Sequence, residues 1–252
     1  MDKTLIKGVH LLQLMVESAR PWTVSGLSKA LGLQGSNVHR TLQTWCALGV
    51  VAQSEKTGEY HCTLKLFEWG CKVAGCFDVR RLAREHLLQL AHTSQETIHL
   101  SVLEGAEIVY LDKIDSPQPV RAYSEVGGRA PAHCVATGKA LLAYGDLRAL
   151  DHLPNPLPCP TSKTIGSLEK LKAELVRIRA CGYATNFEEW REGVHGLGAV
   201  IFDASGVAVA AVGLSAPASR MGDERVRQLG QLVWETAQKI TRALGGRVQQ
   251  DS

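Results

Sequence analysis

The polar residues between Ser36 and Thr44 are the part of this sequence best suited to contact another molecule. Val38, Leu42 and Trp45 fall at helical spacing, so the segment predicts a helix with one apolar face, and Ser36 is placed to cap its first turn. The side chains on the opposite face donate or accept hydrogen bonds: Ser36, Asn37, His39, Arg40, Gln43 and Thr44. Such groups hydrogen-bond to phosphate oxygens and base edges. They therefore predict a helix that reads the major groove of double-stranded DNA. An ordinary solvated helix can show a similar face.

The segments on either side of this helix predict a winged helix-turn-helix. Residues 23–31 have helical spacing before a bend at Gly32 and would form the preceding helix. Residues 50–52 and 60–64 predict the two strands of a hairpin whose polar turn carries Lys56. In a winged helix this turn lies beside the groove, where Lys56 would contact the DNA backbone.

The N-terminal segment predicts one more helix in this domain. Residues 5–17 show a helical apolar period, which ends at Arg20-Pro21. We expect its buried face to consist of Leu5, Val9, Leu12 and Val16. This helix would pack under the helix-turn-helix.

The charge distribution agrees with a polyanionic partner for the first domain. The chain contains 28 Lys and Arg and 25 Asp and Glu, a formal net charge of +3. The first 80 residues hold nine of the basic and six of the acidic residues, so the whole excess lies in the third of the chain that carries the predicted helix-turn-helix.

The composition is that of an ordinary globular chain long enough for two domains, with 252 residues, 45% hydrophobic and 21% charged. No apolar run approaches the roughly 20 residues that span a bilayer, and the first ten residues lack the apolar core of a signal peptide. We therefore expect a cytoplasmic protein. The seven cysteines include no CxxC pair, which predicts reduced thiols and no disulfide framework.

The rest of the chain mixes hairpins with helices and predicts an α+β domain, an antiparallel sheet flanked by helices. A connecting helix from Asp78 leads into it. Strands are predicted at 97–103, 108–114, 120–123, 183–186, 199–203 and 207–214. Helices are predicted at the end of 131–144, at 167–180 with a stop at Gly182, and at 223–244. The domain boundaries we expect are 1–65 for DNA binding, 66–92 for linker helices and 93–252 for the second domain.

Two short motifs in the second domain resemble known chemistry without matching it. Gly138-Lys139 lacks both the upstream glycine and the following Ser or Thr of a phosphate-binding loop. His133 and Cys134 could be a base and a nucleophile, but adjacent residues seldom face each other and no third, orienting residue is identifiable. We therefore predict no enzymatic activity from these residues.

Acidic and metal-binding residue types are also present, without a supporting pattern. Glu188, Glu189 and Glu192 could pair as acid and base or hold a cation, but an exposed turn is the simpler interpretation. A zinc site could be drawn from His133, Cys134, Cys181 or His195, and the spacing gives it no support. We predict neither a metal nor a cofactor.

Three blocks of sequence together resemble the isocitrate lyase regulator (IclR) family of bacterial transcription factors. They are LGLQGSNVHRTLQTWCALGVV, VGGRAPAHCVATGKALLA and GYATNFEEWREGVHGLGAVIFDASGVAVAAVGLSAPASRM. The first block alone would fit many winged-helix proteins, whereas the second and third, in this order and spacing, are specific to the family. The resemblance covers nearly the whole chain.

The resemblance implies a GAF-like effector domain behind the winged helix-turn-helix, dimerisation through the DNA-binding half, frequent tetramers, and regulation by small organic acids or aromatic compounds. Effector contacts carried over to matching positions are Ala122, Ala130, Ala136, Thr137, Asn186, Val194, Gly196, Gly213 and Ser215. The backbone amides that open a helix at Ala136 and Thr137 would bind a carboxylate. Asn186 stands where members of the family can have Asp, and Gly213 where Ser can occur, so polar contacts to the ligand differ here.

Two functions follow from these observations. The first is a sequence-specific DNA-binding transcriptional regulator, a homodimer or homotetramer, whose operator affinity responds to a small organic acid. The alternative is an enzyme or carrier for a small acid in which the winged helix serves as an interaction module.

Overall fold

A computed structural model of the chain describes residues 2–18, 20–75, 78–122, 124–145 and 147–246. The chain folds as two units, Met1–Phe77 and Asp78–Ser252. No helix among the described residues is long and apolar enough to cross a bilayer.

The first unit is the predicted winged helix-turn-helix. Thr23 caps the second helix by accepting a hydrogen bond from the Gly26 amide at 3.1 Å, and Gly32 ends that helix with a φ of 62°. Its elements are α1 (Lys3–Ser18), α2 (Val24–Leu31), α3 (Gly35–Ala47), the hairpin strands β1 (Val51–Gln53) and β2 (Tyr60–Cys62), and α4 (Leu64–Gly75).

The predicted cap of α3 is wrong. The helix begins at Gly35, with Gln34 as the capping residue and no side-chain hydrogen bond at the cap. The carbonyl of Gln34 accepts from the Val38 amide at 3.1 Å, so the helix starts before Ser36. Ser36 therefore lies inside the first turn with its side chain exposed.

The predicted buried face of α1 is wrong except at Leu12, which is partly buried and packs against the core. Gly8, Leu11 and Met15 are buried, whereas Leu5, Val9 and Val16 are exposed. Both sets have helical spacing, so periodicity alone cannot choose between them. Gly8 lies on the buried face opposite Thr41 of α3, where an added Cβ would make an ordinary contact at 3.8 Å.

The second unit is an antiparallel six-stranded sheet between two layers of helices, as predicted. The strand order is β5-β4-β3-β8-β7-β6, and every neighbouring pair is antiparallel. Its elements are α5 (Asp78–Ser94), β3 (Thr97–Glu104), β4 (Glu107–Ile114), β5 (Arg129–Pro131), α6 (Ala136–Tyr144), α7 (Leu168–Cys181), β6 (Ala184–Phe187), β7 (Val194–Phe202), β8 (Ala208–Pro217) and α8 (Asp223–Ala243), with short 3₁₀ helices at Ala132–Cys134, Leu147–His152 and Ala218–Arg220.

Alternation along the strands divides the core of this unit in two. On β3, Ile98 and Leu100 face the layer formed by α5 and α8. The residues between them, His99 and Ser101, face the side of α6 and α7. The face toward α5 and α8 is thus mainly apolar, apart from the buried Asp112 of β4, which pairs with Arg84 of α5 at 2.9 Å. The other face carries several buried polar side chains.

The strand predicted at 120–123 does not form in the described residues 120–122, and Tyr123 lies outside the described residues. Pro117 and Pro119 precede it, and proline has no amide hydrogen to donate to a sheet. The strand that pairs with β4 at the edge of the sheet is β5, not the segment 120–123.

Two glycines let the first turn of α6 lie directly against the sheet. A Cβ on Gly198 would be 2.7 Å from the Thr137 nitrogen, and one on Gly213 would be 2.4 Å from the Thr137 Cγ2 atom. Any larger residue at either position would separate the helix from the sheet. This close approach builds one wall of the cavity described below.

Candidate functional site

The outer face of α3 is exposed, as the sequence predicts. Val38 and Leu42 point inward and are 1% and 0% exposed, which fixes the rotation of the helix. The six predicted contact residues of α3, and Lys56 in the turn of the hairpin, are all exposed: Ser36, Asn37, His39, Arg40, Gln43, Thr44 and Lys56.

Hydrogen bonds within the unit divide this face into two halves. Thr44 donates its hydroxyl proton to the Arg40 carbonyl at 3.0 Å, and Gln43 donates to the Tyr60 hydroxyl at 3.3 Å. In the described chain, no hydrogen bond or ion pair engages the side chains of the N-terminal half. That half consists of Ser36, Asn37, His39 and Arg40.

A cavity of about 380 Å³ lies in the second unit between the sheet and the first turn of α6. We call it the helix–sheet pocket. Eight of the nine positions implied by the family resemblance line it: Ala122, Ala136, Thr137, Asn186, Val194, Gly196, Gly213 and Ser215. The ninth, Ala130, is 1% exposed and packs in the core on β5.

Two walls of this pocket offer hydrogen-bond donors. The first is the start of α6, whose capping residue Val135 makes no side-chain hydrogen bond to the helix amides. The second is Asn186, whose Oδ1 atom accepts from the Glu189 amide at 2.8 Å. Because its oxygen is used there, Asn186 has its NH₂ group left to donate. Both groups suit a carboxylate.

A histidine bridges two serines at another wall. The His99 Nε2 atom lies 3.0 Å from the Ser215 Oγ atom, and Nδ1 lies 3.2 Å from the Ser124 Oγ atom. The ring is 4% exposed and lies 5.0 Å from the Tyr110 ring, centroid to centroid. Burial first, and the nearby Lys113 ammonium second, lower the pKa of His99 to about 4, so the ring is neutral at neutral pH.

The lining of the pocket includes three arginines and two glutamates. Arg121 and Arg129 are engaged by acidic residues, Asp115 for the first and Glu104 and Glu107 for the second. Arg191 has no side-chain hydrogen bond or ion pair among the described residues. The Arg191 guanidinium is therefore left to pair with an anionic ligand.

The expected exposed turn of Glu188, Glu189 and Glu192 is wrong for Glu189. This carboxylate is buried and accepts from the Lys139 ammonium at 2.6 and 2.8 Å, while Lys139 is itself 1% exposed. Burial raises the pKa of Glu189 against the opposing effect of Lys139. The pair joins α6 to the turn that follows Asn186. Because the Lys139 ammonium is bonded to Glu189, it is not available to a phosphate as in a phosphate-binding loop.

His133 and Cys134 do contact each other, contrary to expectation, at 3.2 Å between Nε2 and Sγ. However, Nε2 also lies 2.9 Å from the Pro158 carbonyl oxygen, which can only accept, so that nitrogen carries a proton and cannot take one from the thiol. Burial, with the Glu189 carboxylate second, raises the pKa of Cys134 to about 12. This geometry does not activate a nucleophile.

In the ranges that the structure describes, no three His, Cys, Asp or Glu side chains are grouped to hold a metal ion.

Sequence reasoning missed several residues of the pocket. His99 carried a usable signal, because a histidine and a serine alternate with Ile98 and Leu100 in an otherwise apolar strand. Tyr110, Leu197 and Leu214 lie on strands of the sheet. Four more lie in loops and turns, where no period exists to place them: Ser124, Trp190, Arg191 and Glu192.

Comparisons with known proteins agree with both units. The family model described as "IclR helix-turn-helix domain" matches residues 4–55, and "Bacterial transcriptional regulator IclR C-terminal" matches residues 71–242. The HTH-type transcriptional regulator KdgR of Escherichia coli K12 is 34% identical over 244 residues, which is 96% of this chain and 92% of that protein.

Solved structures give the same result. The crystal structure of the Thermotoga maritima IclR has a TM-score of 0.82 at 30% identity and covers 97% of this chain and 100% of that one. An IclR homologue from Microbacterium hydrocarbonoxydans, crystallised with 4-hydroxybenzoate, shares the fold with a TM-score of 0.83 at 23% identity, over 96% of this chain and 99% of that one. The chain belongs to the IclR family of bacterial transcriptional regulators.

Proposed function

We propose that this regulator reads its operator with the N-terminal half of α3 and that a small organic acid in the helix–sheet pocket changes its operator affinity. The observation that carries the second part is the convergence of three groups suited to an anion in one cavity: the uncapped start of α6, the Asn186 amide and the Arg191 guanidinium.

DNA recognition rests on the side chains of α3 that no intramolecular bond engages. Arg40 can contact a guanine with two hydrogen bonds, and Asn37 can do the same with an adenine. Ser36 and Lys56 suit phosphate oxygens, which set the register of the helix in the groove. Such a regulator works where the chromosome is, in the cytoplasm.

The ligand class follows from the lining. A carboxylate would lie on the α6 amides beside Asn186, and an aromatic or short aliphatic body would contact the small residues around it, Ala122, Val194 and Gly196. The Microbacterium homologue with 4-hydroxybenzoate supports this class of ligand. We further propose that the chain acts as a homodimer or homotetramer, because one short recognition helix reads too few base pairs to find a site in a genome.

The test combines DNA binding with candidate ligands. Labelled DNA from the region upstream of the protein's own coding sequence is titrated with the full chain, with and without a panel of aromatic and short-chain monocarboxylates. We expect specific binding and a change in affinity with at least one acid. Turnover of an acid without specific DNA binding would favour the enzyme or carrier instead.

Asn186→Asp tests where the acid binds. The new side chain can still accept from the Glu189 amide, so the turn is kept, but it adds a negative charge beside the proposed carboxylate. We expect weaker acid binding and unchanged operator affinity without acid. Ser205 is an exposed serine in the turn before β8, and Ser205→Ala should leave both affinities unchanged. An equal response of Asn186→Asp and wild type would place the effector elsewhere.

A further inference from the structure

One wall of the helix–sheet pocket is a segment that belongs to no helix or strand. Residues 115–122 follow β4, and we call them the wall segment, because Arg121 and Ala122 at its end line the pocket. Val120, the residue before them, is 65% exposed. Neither the hydrogen bonds of the sheet nor burial of the Val120 side chain therefore holds this end of the segment in place.

The beginning of the wall segment is fastened to its surroundings by side chains. Ser116 is buried and donates its hydroxyl proton to the Gln95 carbonyl at 2.7 Å. The Asp115 carboxylate pairs with the Lys113 ammonium on β4 at 2.8 Å. The first two residues of the segment are thus fixed to the strand that precedes it and to the end of α5.

The end of the wall segment is held from outside by Arg220. The Nη1 atom of Arg220 donates to the Val120 carbonyl oxygen at 2.9 Å. Among the described residues, this is the one hydrogen bond or ion pair that joins residues 120–122 to a group outside the wall segment. The ion pair of Arg121 with Asp115, at 3.3 Å, lies within the segment.

Arg220 is itself oriented by a buried carboxylate. Its Nε atom donates to the Glu96 Oε1 atom at 2.8 Å and its Nη2 atom donates to Oε2, while Glu96 is only 1% exposed. Because the guanidinium is planar, these two bonds also fix the direction of Nη1, which faces Val120. Arg225 also reaches Glu96, at 3.5 Å, but its hydrogen bond goes to the Ser94 carbonyl and not to the wall segment.

We infer that Arg220 is a positioning residue for the ligand pocket: bonded to Glu96, it holds residues 120–122 where Arg121 and Ala122 complete the wall. This inference rests on the proposed function, which places a small acid in the pocket. An acid binds fully only to molecules whose wall is in place, so its apparent affinity falls with their fraction. Without Arg220, the acid would have to order the segment itself, at a cost in conformational entropy.

Arg220→Gln and Arg225→Gln are a matched pair of variants. Each removes one positive charge from beside Glu96, so both should lower stability, but only the first removes the bond to Val120. The experiment is calorimetry on the full chain with benzoate, 4-hydroxybenzoate and butyrate. We expect Arg220→Gln to bind an acid roughly tenfold less tightly than wild type, and Arg225→Gln to stay within about twofold of it.

Limited proteolysis separates positioning of the wall from a general loss of stability. Trypsin cleaves after Arg121, and the cleavage rate reports how often the surrounding segment opens. Mass spectrometry should show faster cleavage at Arg121 in Arg220→Gln than in wild type, and slower cleavage again when an acid is bound. In Arg225→Gln, cleavage at Arg121 should keep the wild-type rate.

A third variant covers the case in which the first does not fold. Arg220→Lys keeps a positive charge beside Glu96, but it has one nitrogen where Arg220 uses three, so it cannot reproduce the planar fork between Glu96 and Val120. It should show the same two changes as Arg220→Gln. If Arg220→Gln does not fold by circular dichroism, Arg220→Lys decides the matter.

Failure of this inference can be told apart from failure of the proposed function. Wild-type acid affinity or wild-type cleavage at Arg121 in the Arg220 variant would overturn the role of Arg220 and leave an acid-responsive regulator. Equal changes in the Arg225 variant would overturn it too. Absence of binding by all three acids would contradict the proposed ligand class, and cleavage at Arg121 would then decide whether Arg220 holds the wall.

Discussion

Arg40 is the exposed side chain of α3 best suited to read a base edge. Replacing it with alanine should remove a bidentate contact and weaken operator binding by about 1–3 kcal/mol. The effect on folding should be small, because the side chain makes no intramolecular bond in the described chain. Fluorescence anisotropy should show the loss on operator DNA and a much smaller one on unrelated DNA. Lys56→Ala is the matched comparison. It should weaken binding to both DNAs alike and reduce the slope of log affinity against log salt concentration by about one.

His99 also predicts how stability depends on pH. Its pKa is about 4 in the folded chain and 6.5 when unfolded, so the unfolded chain binds more protons between these values. The stability that this group contributes is fully present above pH 6.5 and is lost as pH falls towards 4, by about 2 kcal/mol at pH 5. Urea unfolding should show that the free energy of unfolding falls less between pH 7 and pH 5 for His99→Phe than for wild type. Equal losses would mean that the ring titrates normally when folded.

The pair of Lys139 and Glu189 should be strongly coupled. Lys139→Met leaves a buried carboxylate without its partner, which costs about 3–5 kcal/mol, whereas combining it with Glu189→Leu should recover much of that stability. The measurement is a double-mutant cycle by urea unfolding. Additive effects of the two substitutions would contradict a direct interaction at 2.6 Å.

At the scale of elements, the approach of α6 to the sheet is what forms the pocket. A Cβ on Gly213 would meet Thr137 at 2.4 Å, whereas one on Gly196 would meet its nearest neighbour, the Leu214 carbonyl oxygen, at an ordinary 3.5 Å. Gly213→Ala should therefore destabilise the fold by about 1–3 kcal/mol. Gly196→Ala should fold normally and weaken ligand binding by narrowing the pocket, as measured by thermal unfolding with and without acid. If Gly196→Ala were less stable than Gly213→Ala, α6 would be able to shift away from the sheet at little cost.

At the scale of the whole molecule, operator binding should require two copies of the chain. We expect a near-palindromic site whose half-sites lie about 10 base pairs apart, centre to centre, or a multiple of that. Inserting about five base pairs between them turns one half-site to the opposite side of the duplex and should reduce affinity sharply. Sedimentation of the complex gives the stoichiometry, and a monomer bound at full affinity would refute the prediction.

The sequence by itself determined most of the helices and strands, although not β5, and where many of them end. Ser167 and Gly182 mark the two ends of α7 because the cap and the left-handed terminal residue act within one turn of the helix. The polar face of α3 is likewise a local property, since Val38 and Leu42 fix its rotation.

Tertiary structure alone decided what those elements bring together. His99 and Ser215 are 116 positions apart and meet because β3 pairs with β8, while Lys139 and Glu189 are 50 apart and meet because α6 packs on the sheet. Periodicity carries no information about which distant segments pair, because an apolar face fits any other apolar face of similar size. Contacts between distant polar groups are fixed only once packing has excluded the alternatives, and the polarity of the helix–sheet pocket is such a property.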